Sequence, residues 1–473
     1  MRFVVNWQRS IVNNQHIVQA MTSPRHHSSD APVRPSGGIT MASLSPVLTQ
    51  SSSVLVDHAQ GSWIYDASGE AYLDFSTGIG VTSTGHCHPR VVAAAREQVG
   101  KVIHAQATTV RHQPMFDFIG ELSKVLPESL DSLFFSNSGS EAVESAIRLA
   151  RMATGRPNII AFQGGFHGRT MAAASVTSAG LHVRSGFGPL MGGVHFAPYP
   201  NAFRYGWSVD QTVEFCLDQL DFIFHTQTMP KETAAFLIEP VQGDGGYVRT
   251  PPAFLKGLRE LADEHGIMLI FDEVQAGAGK TGRFWSHQLA DGVTPDIMTM
   301  AKGIASGFPI SAIAAPTAIM ETAWPGSQGG TYGGNAVCAA AGAETLRVIA
   351  DEHLVDNAGT RGEALGRLLA PLEDRFAEVG QARGVGVMRA LEFVTPDGRP
   401  APETAKAVLK AAEREHLLVL TCGPYGNVVR AVPALNVSAE EIELGAERLT
   451  AAVESVLGAP TATSAPEVVA VPA

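Results

Sequence analysis

Lys302 stands where an amine could do covalent chemistry: it directly follows the strand-like apolar run Ile297–Met300, is flanked by Gly303, and is one of eight lysines in the chain. A desolvated lysine amine has a lowered pKa and adds to a carbonyl as a Schiff base. A strand-end lysine whose ammonium reaches solvent is the ordinary alternative. Two other groups would complement such an amine. Ser138-Gly139-Ser140-Glu141 opens a segment whose apolar Ala142, Val143, Ala146, Ile147, Leu149 and Ala150 share one helical face. The free N–H groups of its first turn could hold a phosphate, or the serine simply caps the helix. Asp272 ends the apolar run Ile267–Phe271, where a lone carboxylate is costly unless a partner meets it. A protonated pyridine nitrogen would serve, and so would an arginine or the amides of the next turn.

The elements that must position these groups read as alternating strands and helices. Trp63–Phe75 alternates and breaks at Asp66–Gly69, as a hairpin does, and a Gly/Thr-rich loop follows over Thr77–Pro89. Helical stretches are expected at Arg90–Lys101 and Pro114–Leu126. Strand-like runs come next at Ser132–Phe135, Asn158–Phe162, Ala234–Ile238, Met268–Phe271 and Asp296–Met300, separated by amphipathic segments. This alternation implies an α/β fold with a mostly parallel sheet. Small and polar residues follow each run, and in open α/β sheets ligands bind beyond the carboxyl ends of the strands, so five stretches converge on one site. From about Ala341 to Val456 the pattern changes: a long helical stretch, a strand at Arg383–Phe393, a helix at Glu403–His416, and strands at Leu417–Leu420 and Val428–Val432. This part is expected to be a smaller α+β domain.

Composition narrows the function classes. The 473 residues are 45% hydrophobic and 17% charged, enough for large cores, and the formal net charge is −12. An acidic chain lacks the basic field that a nucleic-acid backbone needs, and no apolar run is long enough to span a bilayer. Four cysteines, none in a C-x-x-C pair, read as reduced thiols in a cytoplasmic setting. Residues 1–40 are Arg/Ser/His-rich and acid-poor. They read as an over-extended start, with Met21 and Met41 as internal alternatives, or as an organelle transit peptide. Residues 458–473 read as a disordered tail.

The motifs SNSGSEA at Ser136–Ala142, FHGRT at Phe166–Thr170, EPVQGDGG at Glu239–Gly246, FDEVQ at Phe271–Gln275, AKG at Ala301–Gly303 and GGTYGGN at Gly329–Asn335 occur in that order. In this the chain, from about Ser43 to Val456, resembles the class III (omega) aminotransferases, fold type I enzymes that use pyridoxal 5'-phosphate. The resemblance makes Lys302 the Schiff-base lysine and proton shuttle, and Asp272 the group that keeps the pyridine nitrogen protonated. It gives Gln275 to the phenolic oxygen and Ser138, Gly139 and Ser140 to the phosphate, with Thr331 of a neighbouring subunit. Phe166 would stack on the ring, and His167 and Val274 complete the cofactor-binding set. It also implies a homodimer with shared sites, or a tetramer of such dimers. The expected layout is a segment at 41–95 packing with the small domain, a large cofactor-binding domain at 96–340 and a small domain at 341–457.

Substrate choice is read from LTCGPYGNVVR, Leu420–Arg430, which is similar to the same stretch in 4-aminobutyrate aminotransferases. There the arginine matching Arg430 binds the α-carboxylate of 2-oxoglutarate or glutamate, a task suited to a bidentate donor. Arg169 matches the grip on the distal carboxylate, Ile79 a pocket wall, and Glu239 and Asp244 the acids expected near Arg430. Asp244 is one methylene shorter than the glutamate usual in those enzymes, which is expected to weaken its pairing with Arg430. The implied reaction moves the amine of 4-aminobutyrate to 2-oxoglutarate. The alternatives are 5-aminovalerate, ornithine or a diamine as donor, pyruvate as acceptor, and a dialkylglycine-decarboxylase-like activity.

Three other motifs are set aside. Gly277–Thr281, GAGKT, lacks the first glycine of a P-loop because Val274 stands there, and Lys280 is read as a loop cation. His86-Cys87-His88 lacks a third metal ligand, so no metal is expected. Gly384 and Gly386 open no helix, which argues against dinucleotide binding.

Overall fold

A computed structural model describes residues 44–458, so the expectations for 1–40 and for the tail beyond Gly458 lie outside the described residues. Residues 44–50 form an exposed, turn-bearing stretch.

From Ser51 onward the chain builds three sheets. The central one has seven strands in the order β4-β10-β9-β8-β7-β5-β6. These are β4 (Ser132–Ser136), β5 (Asn158–Phe162), β6 (Val194–Ala197), β7 (Thr233–Ile238), β8 (Met268–Asp272), β9 (Ile297–Met300) and β10 (Ser311–Ala315). All run in one direction except β10, which lies between β4 and β9 and pairs antiparallel with both. The mostly parallel sheet read from the sequence is therefore present, with β6 and β10 added to it. Neither was legible: β10, SAIAA, is short and small enough to pass for a helix segment, and nothing local sets its direction.

Burial explains why these strands are near-continuously apolar. Successive side chains point to opposite faces. Ile160, Phe162, Phe236, Ile238, Leu269 and Phe271 pack on one side with Cys216 and Leu220 of the helix Val209–Thr226 and Leu255 and Leu258 of the helix Pro252–His265. Ile159, Ala161, Ala235, Leu237 and Ile270 pack on the other with Val143, Ile147 and Ala150 of the helix Gly139–Thr154. That helix starts where Ser138 accepts the Glu141 N–H and stops at Gly155, in the left-handed conformation that releases the chain.

Two four-stranded sheets flank this core. One joins β1 (Val56–Gln60), β2 (Trp63–Asp66) and β3 (Ala71–Asp74) to β13 (Leu417–Leu418). The other has the order β11-β12-β15-β14, with β11 (Val379–Val385), β12 (Met388–Phe393), β14 (Leu420–Cys422) and β15 (Val428–Ala431). Two sequence expectations are corrected here. Arg383–Phe393 is not one strand but the two arms of a hairpin, turned at Gly386 with φ 55°. Leu417–Leu420 is shared between two sheets, because β13 pairs with β3 and β14 with β15.

The hairpin corner fixes how closely its neighbours approach. Gly362 lies in the helix Leu354–Leu369, and a Cβ there would overlap the Gly386 carbonyl. In an open helix Gly→Ala gains about 1 kcal/mol. Here we expect Gly362→Ala to cost about 1–3 kcal/mol through overpacking, read as a lower urea midpoint with an unchanged slope. A raised midpoint would show that the contact is slack.

Candidate active site

Four parallel strands deliver functional groups to one edge. Asp272 is the last residue of β8, Glu239 follows β7, Phe166 and His167 lie beyond β5, and Lys302 lies two residues past the end of β9. The helix beginning at Gly139 follows β4 at the same edge. A cavity of about 280 Å³ opens there, and the sequence-predicted Ser138, Gly139, Ser140, Phe166, His167, Glu239, Asp272, Val274, Gln275 and Lys302 all line it.

The backbone presents Lys302 by a local contortion. Ala301 is fully extended, and Lys302 then takes φ 49° to open a short 3-10 turn. A left-handed non-glycine residue costs about 1–2 kcal/mol, a strain of the kind found where surroundings over-determine a functional side chain. Burial pushes the Lys302 amine below the usual lysine range. Asp244, Asp272 and Glu239 oppose that shift, and Arg430 adds to it.

Asp272 is nearly inaccessible, and both of its oxygens meet donors, with Oδ2 keeping a free acceptor site. Oδ2 lies 2.7 Å from His167 Nδ1, while Oδ1 accepts the Val274 N–H and the Thr299 hydroxyl, each at 3.0 Å. Burial alone would strip the proton from His167, but the Asp272 hydrogen bond and charge outweigh it and raise the imidazole pKa. Thr299 was missed from sequence, although a hydroxyl in the otherwise apolar run Ile297–Met300 was a readable signal.

At the helix N-terminus, Gly139 approaches Val274 so closely that a Cβ would come within 2.7 Å of Val274 Cγ1. The backbone amides of its first turn can therefore hold an anion without side-chain interference. Gly168, with φ 134°, packs against Ser140, leaving no room for a side chain.

The substrate-side residues divide. Arg430 is buried and pairs with Asp244, Nη2 to Oδ1 at 2.7 Å, while Nη1 donates to Gln275 Oε1 at 3.3 Å and the guanidinium lies 5.7 Å from the Tyr247 ring centroid. The shorter aspartate still reaches the guanidinium. Glu239 does not reach Arg430; it accepts two backbone N–H groups instead. Arg169 is exposed, and its backbone N–H meets Ser140 Oγ at 3.3 Å. Ile79 is not a cavity wall in this chain. The positive φ values of Thr77, Gly78 and Ile79 turn it outward, 48% exposed, and Val81 lines the cavity instead. Thr331 lies on an exposed loop and does not line its own chain's cavity.

Lys280 corrects another expectation. Rather than a solvated loop cation it is buried, with its amine 3.4 Å from the Gly277 carbonyl and 3.5 Å from Ser83 Oγ. Burial lowers its pKa to about 7, the Lys302 charge adds to the shift, and Glu273 opposes it. Among the described residues, no group of three or more His, Cys, Asp or Glu side chains could hold a metal, and no helix is long and apolar enough to cross a membrane.

A family model described as aminotransferase class-III matches residues 45–453. The 5-aminovalerate aminotransferase DavT of Pseudomonas putida is 39% identical over 385 residues, covering 81% of this chain and 89% of that protein. The 4-aminobutyrate aminotransferase GabT of Escherichia coli is 37% identical over 398 residues, covering 83% of this chain and 92% of that protein. The solved structure of an (S)-enantioselective omega-transaminase from Thermomicrobium roseum superposes with a TM-score of 0.80 at 30% identity, covering 85% of this chain and 93% of that one.

Two buried amines with lowered pKa make the reactive one testable. When the protein is supplied with pyridoxal 5'-phosphate and reduced with borohydride, the pyridoxyl group is expected on the peptide bearing Lys302 and absent from Lys302→Ala. Label on the Lys280 peptide of the unsubstituted protein would reassign the reactive amine.

Proposed function

The chain belongs to the class-III aminotransferases, pyridoxal-phosphate-dependent enzymes, and from that premise we propose which of its residues hold the cofactor and which choose the substrates. The general reaction is transfer of an amino group from an omega-amine donor to a 2-oxo acid.

The residues fit the cofactor. An amine held by burial below its usual pKa, a buried carboxylate and a side-chain-free cradle at Gly139 line one cavity. Lys302 would anchor the aldehyde, Asp272 the ring nitrogen, the Gly139–Ser140 amides the phosphate, and Phe166 a ring face, with His167, Val274 and Gln275 around them. Bound pyridoxal phosphate supplies an electron sink that acidifies the C–H bond beside the substrate amine. The protein's part is to orient that bond and move one proton. The Lys302 amine, held by burial below its usual range, is available in its neutral form to take and return it. Asp272, fixed by three donors, is a prearranged negative charge that needs no reorganisation during the reaction.

The Asp244–Arg430 pair is the observation that carries the substrate reading. A donor without an α-carboxylate leaves Arg430 paired with Asp244, and an acceptor with one displaces Asp244 and takes the bidentate grip. Arg169 at the exposed rim would hold the distal carboxylate. The donor is then a linear omega-amino acid. Relatives that act on 5-aminovalerate and on 4-aminobutyrate stand almost equally near this chain, so both are proposed as donors, with 2-oxoglutarate as acceptor.

A second copy of the chain would complete the site. Ile103, Trp324 and Tyr332 are large apolar side chains, each more than 60% exposed, and Trp324 and Tyr332 flank the loop that carries Thr331. A homodimer would cover such a surface and bring Thr331 to the partner's phosphate.

A panel of omega-amines, assayed separately with 2-oxoglutarate and pyruvate, is expected to give highest kcat/KM for 5-aminovalerate or 4-aminobutyrate with 2-oxoglutarate. Preference for pyruvate, or release of carbon dioxide, would overturn the reading. Arg430→Ala is expected to slow the 2-oxoglutarate half-reaction about a hundredfold, the scale of losing a buried charge-assisted contact, and the amine half-reaction less than about tenfold. Equal losses in both halves would remove Arg430 from substrate selection.

A further inference from the structure

Glu239 was expected beside Arg430, yet its carboxylate bridges the Phe166 loop and the Gly243–Asp244 turn, two segments also joined by Gln242, whose Nε2 donates to the Gln163 carbonyl at 2.9 Å. Oε1 accepts the Phe166 N–H and Oε2 accepts the Gly243 N–H, both at 2.8 Å. The first amide belongs to a residue in the cavity wall. The second precedes Asp244, which holds Arg430 at 2.7 Å. We propose that Glu239 is a positioning residue whose carboxylate yokes the Phe166 loop to the Gly243–Asp244 turn, and so keeps the Asp244–Arg430 pair closed. The inference rests on Arg430 being the carboxylate grip proposed above.

Other hydrogen bonds also hold the turn: Gly246 N–H donates to the Gly243 carbonyl at 3.1 Å, and Arg383 Nε donates to the Gly246 carbonyl at 2.7 Å. Gly423 N–H donates to the Asp244 carbonyl at 2.8 Å, tying its far side to the Cys422–Gly423 segment. On the near side Gly243 packs against the Gln275 amide, too closely for any side chain at 243, and Gln275 itself accepts from Arg430. A shift of the turn toward the cavity is therefore felt by Asp244, Gln275 and Arg430 together. Only an ionised carboxylate offers both oxygens as full acceptors; protonation turns one into a donor facing an N–H. Burial pushes the Glu239 carboxyl up to about 7, with Asp272 raising it further and His167 opposing. Lys302 and the buried Tyr199 phenol are the other ionisable groups that it faces. The yoke is thus closed above neutrality and loosened below it.

The test labels arginines of the holoenzyme with phenylglyoxal and quantifies Arg430 by peptide mass spectrometry, relative to exposed Arg204. Normalising to Arg204 removes the reagent's own pH dependence. At pH 8, Glu239→Gln is expected to raise relative Arg430 labelling roughly fivefold or more, the scale of one lost hydrogen bond to a charged group. In the unsubstituted protein the same ratio is expected to climb toward the variant's value as pH falls from 8 to 6. Equal labelling of variant and unsubstituted protein at pH 8 would overturn the proposal. Should the variant fail to fold, a flat ratio between pH 8 and 6 in the unsubstituted protein overturns it equally. Labelling is independent of turnover, so absence of transaminase activity would sink the functional reading without producing either of these results.

Discussion

A carboxylate taken out of water at the end of β8 is the constraint around which the site is organised. The desolvation of an ion of that size costs several kcal/mol, and removing a partner from a buried ionic group costs about 3–5 kcal/mol. Asp272 is tolerated because three donors from three different segments meet it: the imidazole of His167, the amide of Val274 and the hydroxyl of Thr299. Those donors tie β8 to β9 and to the loop after β5. The same ties set where the Val274 side chain presses on Gly139, and thus where the anion-binding helix begins.

Around this anion the charges are balanced locally. Lys302, Lys280, Arg430 and His167, its pKa raised by Asp272, are the cations, and Asp272, Glu239, Asp244 and Glu273 the anions. Burial acts on both sets in the direction of neutrality, lowering the two lysines and raising Glu239. Arg430 is the exception, since a guanidinium does not surrender its proton in a protein and needs a counter-ion. Asp244 supplies that counter-ion, and in the proposed reading a substrate carboxylate would replace it, one negative charge exchanging for another.

Much of this was legible in the sequence for a physical reason. Lys302, Asp272, Phe166 and the Ser138–Ser140 turn each follow an apolar run, and a parallel sheet places such residues at one edge whatever the details of packing. What could not be read depended on backbone conformation or on distant contacts. Val81 rather than Ile79 faces the cavity because four consecutive residues, Thr77 to Gly80, take positive φ. Lys280 is buried because Gly386 and Gly359 let remote backbone close over the GAGKT loop, a packing that no local pattern announces. The direction of β10 and the split of Leu417–Leu420 between two sheets are likewise long-range outcomes. The Asp244–Arg430 contact shows that a one-methylene difference on paper need not be a difference in contact once the turn that carries it is in place.

The central claim is the proposal that the Asp272 carboxylate keeps a proton on the ring nitrogen of the cofactor. Nitrogen-15 NMR of the protein loaded with ring-labelled pyridoxal 5'-phosphate reads that proton directly. The account predicts the chemical shift of a protonated pyridine nitrogen at neutral pH, moving to that of an unprotonated one in Asp272→Asn. An unprotonated nitrogen in the unsubstituted protein, or a protonated one that survives the loss of the carboxylate, would contradict it.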